Sequence, residues 1–277
     1  MTFSATEAAF EGFRVTKARP LRLLLWSLVW LVGLVAIGLV MIPIIMPYAG
    51  EIQSAQGNAS ALSPQASTAI ATAMFAAFPI GLLVQSVLAP AVYRAVLQPD
   101  AGWFGGLQLG RDELRILVVT FVLGLLSLAL NAGGDLLSTA VTRAAGGLLG
   151  SLIGLIASLL TIWVSVRLSL IAPETFRQHR ISFAAGWALT GKHFWPLLGM
   201  MVVTIIMAAL VVLLLVVVAW PLMLVVNAAA ASGAGAAAGG LLSVIVILAL
   251  VPLGMTLVSV LLWAPFAAAA RDIATGR

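Results

Sequence analysis

Leu197 to Val226 reads LLGMMVVTIIMAALVVLLLVVVAWPLMLVV, thirty residues without one charge. A helix needs about 20 apolar residues to cross a bilayer core, so this stretch reads as a transmembrane helix with length to spare. It must tilt, kink near Pro221 or run past the membrane. Five more segments pass the same test, at about 23–46, 69–92, 115–137, 147–166 and 241–265. The third is interrupted at its far end by Asn131, Gly133, Gly134 and Asp135. Of the 277 residues 62% are apolar and 8% charged. Ordinary soluble domains carry roughly 45–50% and 25%, which excludes a water-soluble globule. With no cysteine, disulfides, iron–sulfur clusters and thiolate zinc sites are excluded as well.

The few charges set the orientation. Arg14, Lys17, Arg19, Arg22, Arg94, Arg111, Arg115, Arg167, Arg177, Arg180, Lys192, Arg271 and Arg277 fall at one end of the six spans. Arg143 alone falls at the other, with Glu51 and Asp135. Cytoplasmic loops hold the excess of Lys and Arg, so both termini are expected in the cytoplasm. Trp26, Trp103, Trp163, Trp187, Trp195 and Trp263 fall near that interface, where an indole's apolar body and N–H donor suit the headgroup zone. The Ala- and Gly-rich composition looks bacterial. The first apolar run is too long for the core of a cleavable signal and is expected to stay attached. Residues 48–66 and 228–240 are poor in large side chains and are expected to hold no fixed fold alone.

The fold class expected is all-α: a polytopic membrane helical bundle of six transmembrane helices in a single domain. It is arranged as three hairpin repeats, 1–98, 99–173 and 174–277, each entered through a cytoplasmic interfacial helix. Ser4 and Glu7 form a capping-box pattern that starts the first such helix. Phe3, Phe10 and Phe13 share one face of it, as in a helix lying in the interface or packed on the bundle. Gly12, Thr16, Leu23 and Leu24 recur as Gly186, Thr190, Leu197 and Leu198, at a constant offset of 174. A weaker copy aligns Gly105, Leu114, Arg115 and Leu117 with Gly12, Leu21, Arg22 and Leu24 at an offset of 93. Arg94, Arg167 and Arg271 close the hairpins beside Pro90, Pro173 and Pro265.

Ile181 to Trp187 (ISFAAGW), followed by Lys192-His193-Phe194-Trp195-Pro196-Leu197-Leu198, resembles the aromatic, basic pre-helix of a family of six-span bacterial inner-membrane proteins. These are the YciC-like proteins and the membrane domain attached to some glycerophosphoryl diester phosphodiesterases. The resemblance implies the six-span layout. In that family catalysis belongs to a separate soluble barrel, of which this sequence holds none. His179-Arg180 is similar to the His-Arg pair of those phosphodiesterases, but no paired Glu residues follow to bind a metal, so the activity is not carried over.

An enzyme needs acids, bases, nucleophiles or metal ligands that converge, and an ion-coupled transporter shows ionisable groups inside its spans. The spans hold almost none. Neither Gly-x-Ser-x-Gly nor a P-loop occurs, and His179 and His193 lack a ligand set, so no catalytic residue, metal or cofactor is expected. Gln85 lies between Pro79 and Pro90, where two missing N–H groups open the backbone; it reads as an interhelical hydrogen bond or as a polar contact for a lipid or solute. Gly146, Gly150, Gly154 and Ser158 recur every four residues and form a small-residue groove for close helix packing, against another span or a second copy.

The basic rim supplies the remaining candidates: Arg14, Lys17, Arg167, Arg177, Arg180, Trp187, Lys192, Phe194 and Trp195, as contacts for lipid or a partner. The function expected is non-enzymatic, through lipid or protein contacts at the cytoplasmic face. The alternative is a passive channel or transporter for a lipid or small apolar solute, with Pro79, Gln85 and Pro90 as a broken-helix element. Expected partners are membrane lipids, anionic ones included, and a protein or a second copy of the chain, with no nucleic acid.

Overall fold

The computed structural model describes residues 4–98, 106–231 and 236–275. The helices are α1 (Ala5–Ala9), α2 (Glu11–Ala18), α3 (Pro20–Ile45), α4 (Ala49–Ala55), α5 (Pro64–Leu97), α6 (Arg111–Ala145), α7 (Gly147–Leu168), α8 (Ile171–Gln178), α9 (Phe183–Lys192), α10 (Phe194–Ala231) and α11 (Ala236–Thr275). Six are long and apolar enough to cross a membrane, and no strand occurs among the described residues. The chain is an all-α, multi-pass membrane protein. The spans pair as three hairpins, α3 with α5, α6 with α7, and α10 with α11.

Several spans run longer than their apolar cores because nothing at the expected breaks stops them. α6 passes through Asn131 and Asp135, and Asn131 turns its amide back onto Ser127 O at 2.7 Å. α10 continues through Pro221 and, at 38 residues, extends past a hydrocarbon layer of about 30 Å. α5 continues through Pro79 and Pro90, so the expected broken-helix element is not found. Hydrocarbon offers no water to an opened backbone, and two missing N–H groups cost less than a break.

Gly146 joins α6 to α7 as a single residue with φ of +91°, a conformation suited to glycine, and a Cβ there would meet nothing within 4 Å. It is therefore the turn and not part of the groove. The groove consists of Gly150 and Gly154, which press on Ser138 and Thr142 of α6, with Ser138 Oγ donating to Gly150 O at 2.8 Å. Its partner is the adjacent span of the same hairpin. Ser158 bonds its own helix at Gly154 O. At this end the loop expected to lack structure folds into α4, because the Glu51 carboxylate accepts the Ser63 N–H and Oγ–H while Ser63 Oγ caps α5 at Ala66 N.

At the basic end the elements interlock. Ser4 Oγ accepts the Glu7 N–H and starts α1, which breaks at Phe10 and resumes as α2. Ala8, Ala9, Glu11 and Gly12 turn inward while Phe10 and Phe13 stay exposed, so the helix packs on the bundle with its rings outward. Phe3 lies outside the described residues. A Cβ on Gly12 would stand 2.9 Å from Leu261 Cα of α11, and one on Gly186 2.7 Å from Ile171 Cα of α8. The repeated glycine is thus a point of backbone contact between one hairpin's entry and another hairpin's exit. Gly105 and the pre-helix expected before the third span lie largely outside the described residues; neighbouring Gly106 rests against Ala91 O of α5. Helix α8 was not expected, and it straddles the hairpin boundary drawn at 173. Trp26, expected at the interface, is wholly buried in the core that gathers at this end.

Gly186→Val drives a branched side chain into the α8 backbone and should cost about 1–3 kcal/mol, the range for overpacking. Thermal melting in detergent should show a clear drop for it. Gly199→Val, where an added Cβ meets nothing within 4 Å, should melt like the parent.

Candidate functional site

Three arginines close the three hairpins, and each is engaged differently. Arg94, at the end of α5, is buried with Glu113 in the first turn of α6, and the two form an ion pair. Arg94 Nη1 also donates to Gly106 O at 2.7 Å, and Glu113 accepts the Gly110 N–H at 2.9 Å, so one carboxylate both caps α6 and ties it to α5. The Phe176 ring of α8 covers the guanidinium at 5.3 Å and packs on Tyr93 at 5.9 Å. His179 Nδ1 sits 2.9 Å from Asp112, which also pairs with Arg115. Glu174, only 1% exposed, is held by Arg177 through Nε at 2.8 Å and Nη2 at 2.6 Å, and by Gln178. This knot joins α5, α6 and α8.

Arg271 bonds Asp272 at 2.9 Å and reaches Val96 O at 3.5 Å, linking the last hairpin to the first. Arg167, at the end of α7, has no acidic partner among the described residues. Its guanidinium lies 4.2 Å from the Trp187 ring centroid and 6.0 Å from that of Trp163, and the two indoles meet edge to face at 5.9 Å. Thr190 Oγ donates to Arg167 O at 2.9 Å, and Gly191 leaves room for Nη1. The Nε is buried without a hydrogen-bond partner.

The structure distributes the other rim candidates. Arg14 pairs with Glu11 at 2.8 Å, Arg177 with Glu174, and Arg180 Nε with Gln178 at 2.8 Å. Lys17 and Lys192 are exposed at the ends of α2 and α9. Phe194 and Trp195 stack edge to face at 5.5 Å, and Trp195 is 77% exposed. Arg167 and Trp187 are brought together; Arg14 and Lys17 belong to α2, which packs on α3, α5 and α11. Among the described residues no group of three or more His, Cys, Asp or Glu gathers as a metal site would require.

Gln85 is half-buried and lines two cavities. One, of about 590 Å³, opens between α3, α5, α10 and α11 and is walled by Val, Leu, Trp263 and Trp30, whose buried Nε1–H has no partner. The other, of about 330 Å³, lies between α5, α6, α8 and α11. No protein-family model, curated protein or solved structure matches the chain.

Removing one partner of a buried ion pair strands the other charge at a cost of about 3–5 kcal/mol. Arg94→Met should therefore lower the melting temperature sharply. Arg94→Met with Glu113→Leu should recover most of the loss, falling short by about 1 kcal/mol for the missing cap at Gly110. Equal melting of the single and double variants would contradict the pairing.

Proposed function

We propose that the chain is a non-enzymatic protein of a bacterial inner membrane, with its basic end and both termini cytoplasmic, that acts by binding anionic lipid headgroups at that end. The observation that carries this reading is Arg167: a cation at the end of a span, set beside two indoles, with no acid to neutralise it among the described residues. A phosphate oxygen is an acceptor for the terminal N–H groups of the guanidinium, which lie in one plane. Exposed Lys192 and Trp195 stand on the next elements, as a headgroup contact at the interface requires. Arg14, Arg177 and Arg115 are compensated by Glu11, Glu174 and Asp112, which narrows the expected basic rim to fewer uncompensated cations. The likeness of residues 181–198 to the YciC-like six-span proteins supports the same reading, since that layout carries no catalytic centre of its own. A passive route for a lipid or small apolar solute is a second reading, favoured by the paired cavities at Gln85.

Each interfacial cation contributes about 1 kcal/mol towards an anionic leaflet, roughly a fivefold change in occupancy. Native mass spectrometry from phosphatidylglycerol nanodiscs should show retained lipid falling about fivefold for Arg167→Gln and further when Lys192→Gln is added. Arg143→Gln at the opposite end should leave retention as it is. Unchanged occupancy in the double variant would overturn the proposal.

A further inference from the structure

The smaller cavity, of about 330 Å³, gathers Gln85 and Tyr93 from α5 with Thr120 and Ser127 from α6. Several span hydroxyls close back onto their own helix: Ser86 donates to Leu83 O, Thr161 to Ala157 O, Thr256 to Pro252 O and Ser259 to Met255 O, at 2.7–2.9 Å, whereas Ser138 bonds the neighbouring α7 and Thr204 is buried without a partner. Bonding back to the helix is the ordinary way for Ser and Thr to be satisfied in hydrocarbon. Thr120 and Ser127, which line the cavity, form no such bond. The Gln85 amide and the Tyr93 hydroxyl likewise have no hydrogen-bond partner among the described residues, and Tyr93 is 4% exposed, its ring fixed by Phe176. Four polar groups, from Tyr93 at the basic end to Ser127 deeper in the membrane, therefore line one cavity with their side-chain hydrogen bonding unspent. An unpaired amide or hydroxyl away from water is costly, and groups so placed are normally satisfied by something that enters.

The lining also limits the occupant. No charged side chain borders the cavity, and the nearest guanidinium, Arg94, is committed to Glu113 and Gly106 O. An anion or cation there would have no counter-charge. The mouth is formed by exposed Phe78 and Ser127, so it opens to the bilayer. Tyr93, next to Arg94 at the basic end, stands fifteen residues from Phe78, about 22 Å along the helix. A slot of that length runs from the interface towards the membrane centre, and its polar half calls for both donors and acceptors, which the Gln85 amide matches in kind.

We propose that this slot is a binding site for an uncharged glyceride lipid, a molecule with a free hydroxyl, ester carbonyls and no phosphate, whose head bonds to Tyr93, Gln85 and Thr120 and whose chain leaves past Phe78. The site is separate from Arg167 and does not depend on a phosphate contact there.

The full chain in nanodiscs carrying a diazirine-tagged diacylglycerol should crosslink within residues 78–127. Labelling should fall at least fivefold in Gln85→Leu with Thr120→Val, and measurably in the milder Tyr93→Phe. Thermal melting identifies any variant that loses its fold, and Tyr93→Phe, which keeps the ring on Phe176, is scored by itself if the double variant does. A tagged phosphatidylglycerol should label the segment no more than a tagged hydrocarbon does. Labelling indifferent to folded variants, equal labelling by the phospholipid, or an experimental density map with only ordered water in the slot would overturn the proposal.

Discussion

Hydrocarbon does not solvate a guanidinium or a carboxylate, and that constraint organises this protein from one end. With nearly all charge confined to a single rim, the charges are within reach of one another, and the fold uses them as ties between elements rather than as separate surface groups. Arg94 and Glu113 join the first hairpin to the second, Asp112 and His179 bring α8 onto α6, and Arg271 returns the third hairpin to the first. The buried apolar residues concentrate around the same points: Trp26, Tyr93, Phe176, Leu197 and the alanines 267–270. Arg94 and Glu113, each with a side chain 6% exposed, are removed from water, which strengthens that pair and makes either partner hard to dispense with.

Towards the far end much of the surface of the spans is exposed Leu, Val and Ile that lipid must cover. Helices in lipid gain little from burying apolar side chains against each other, so close approach depends on small residues such as Gly150 and Gly154. Space is left beside Gln85 and Trp263. A tight basic end and lipid-covered spans are consequences of the same solvent.

Much of this architecture can be read in the sequence, for physical reasons. Runs of apolar residues and the placement of cations are one-dimensional signals, so the six spans and the basic end follow directly. The glycine at offset 174 is legible because backbone contact with Leu261 or Ile171 tolerates no side chain. Other features require the third dimension. Arg94 and Glu113 are 19 residues apart across a turn, with nothing local to announce the pair beyond Glu113 in the capping position after Gly110. The short, mixed segment 171–178 has too few residues for its periodicity to stand out, and α8 becomes a helix by burying Phe176 and Glu174. The prolines of α5 promised a break, but hydrocarbon favours a continuous helix over an open backbone. A free hydroxyl at Thr120 cannot be told from a back-bonded one at Thr161 in a sequence at all.

The arrangement of ends across the membrane is the most direct test of the account. The chain has no cysteine, so single substitutions report cleanly. Ser54→Cys, exposed on α4, should react with a membrane-impermeant maleimide in intact cells, and Arg180→Cys, exposed after α8, should react only once the membrane is opened. Labelling of both positions from the same side would contradict the six-span bundle with its charged rim.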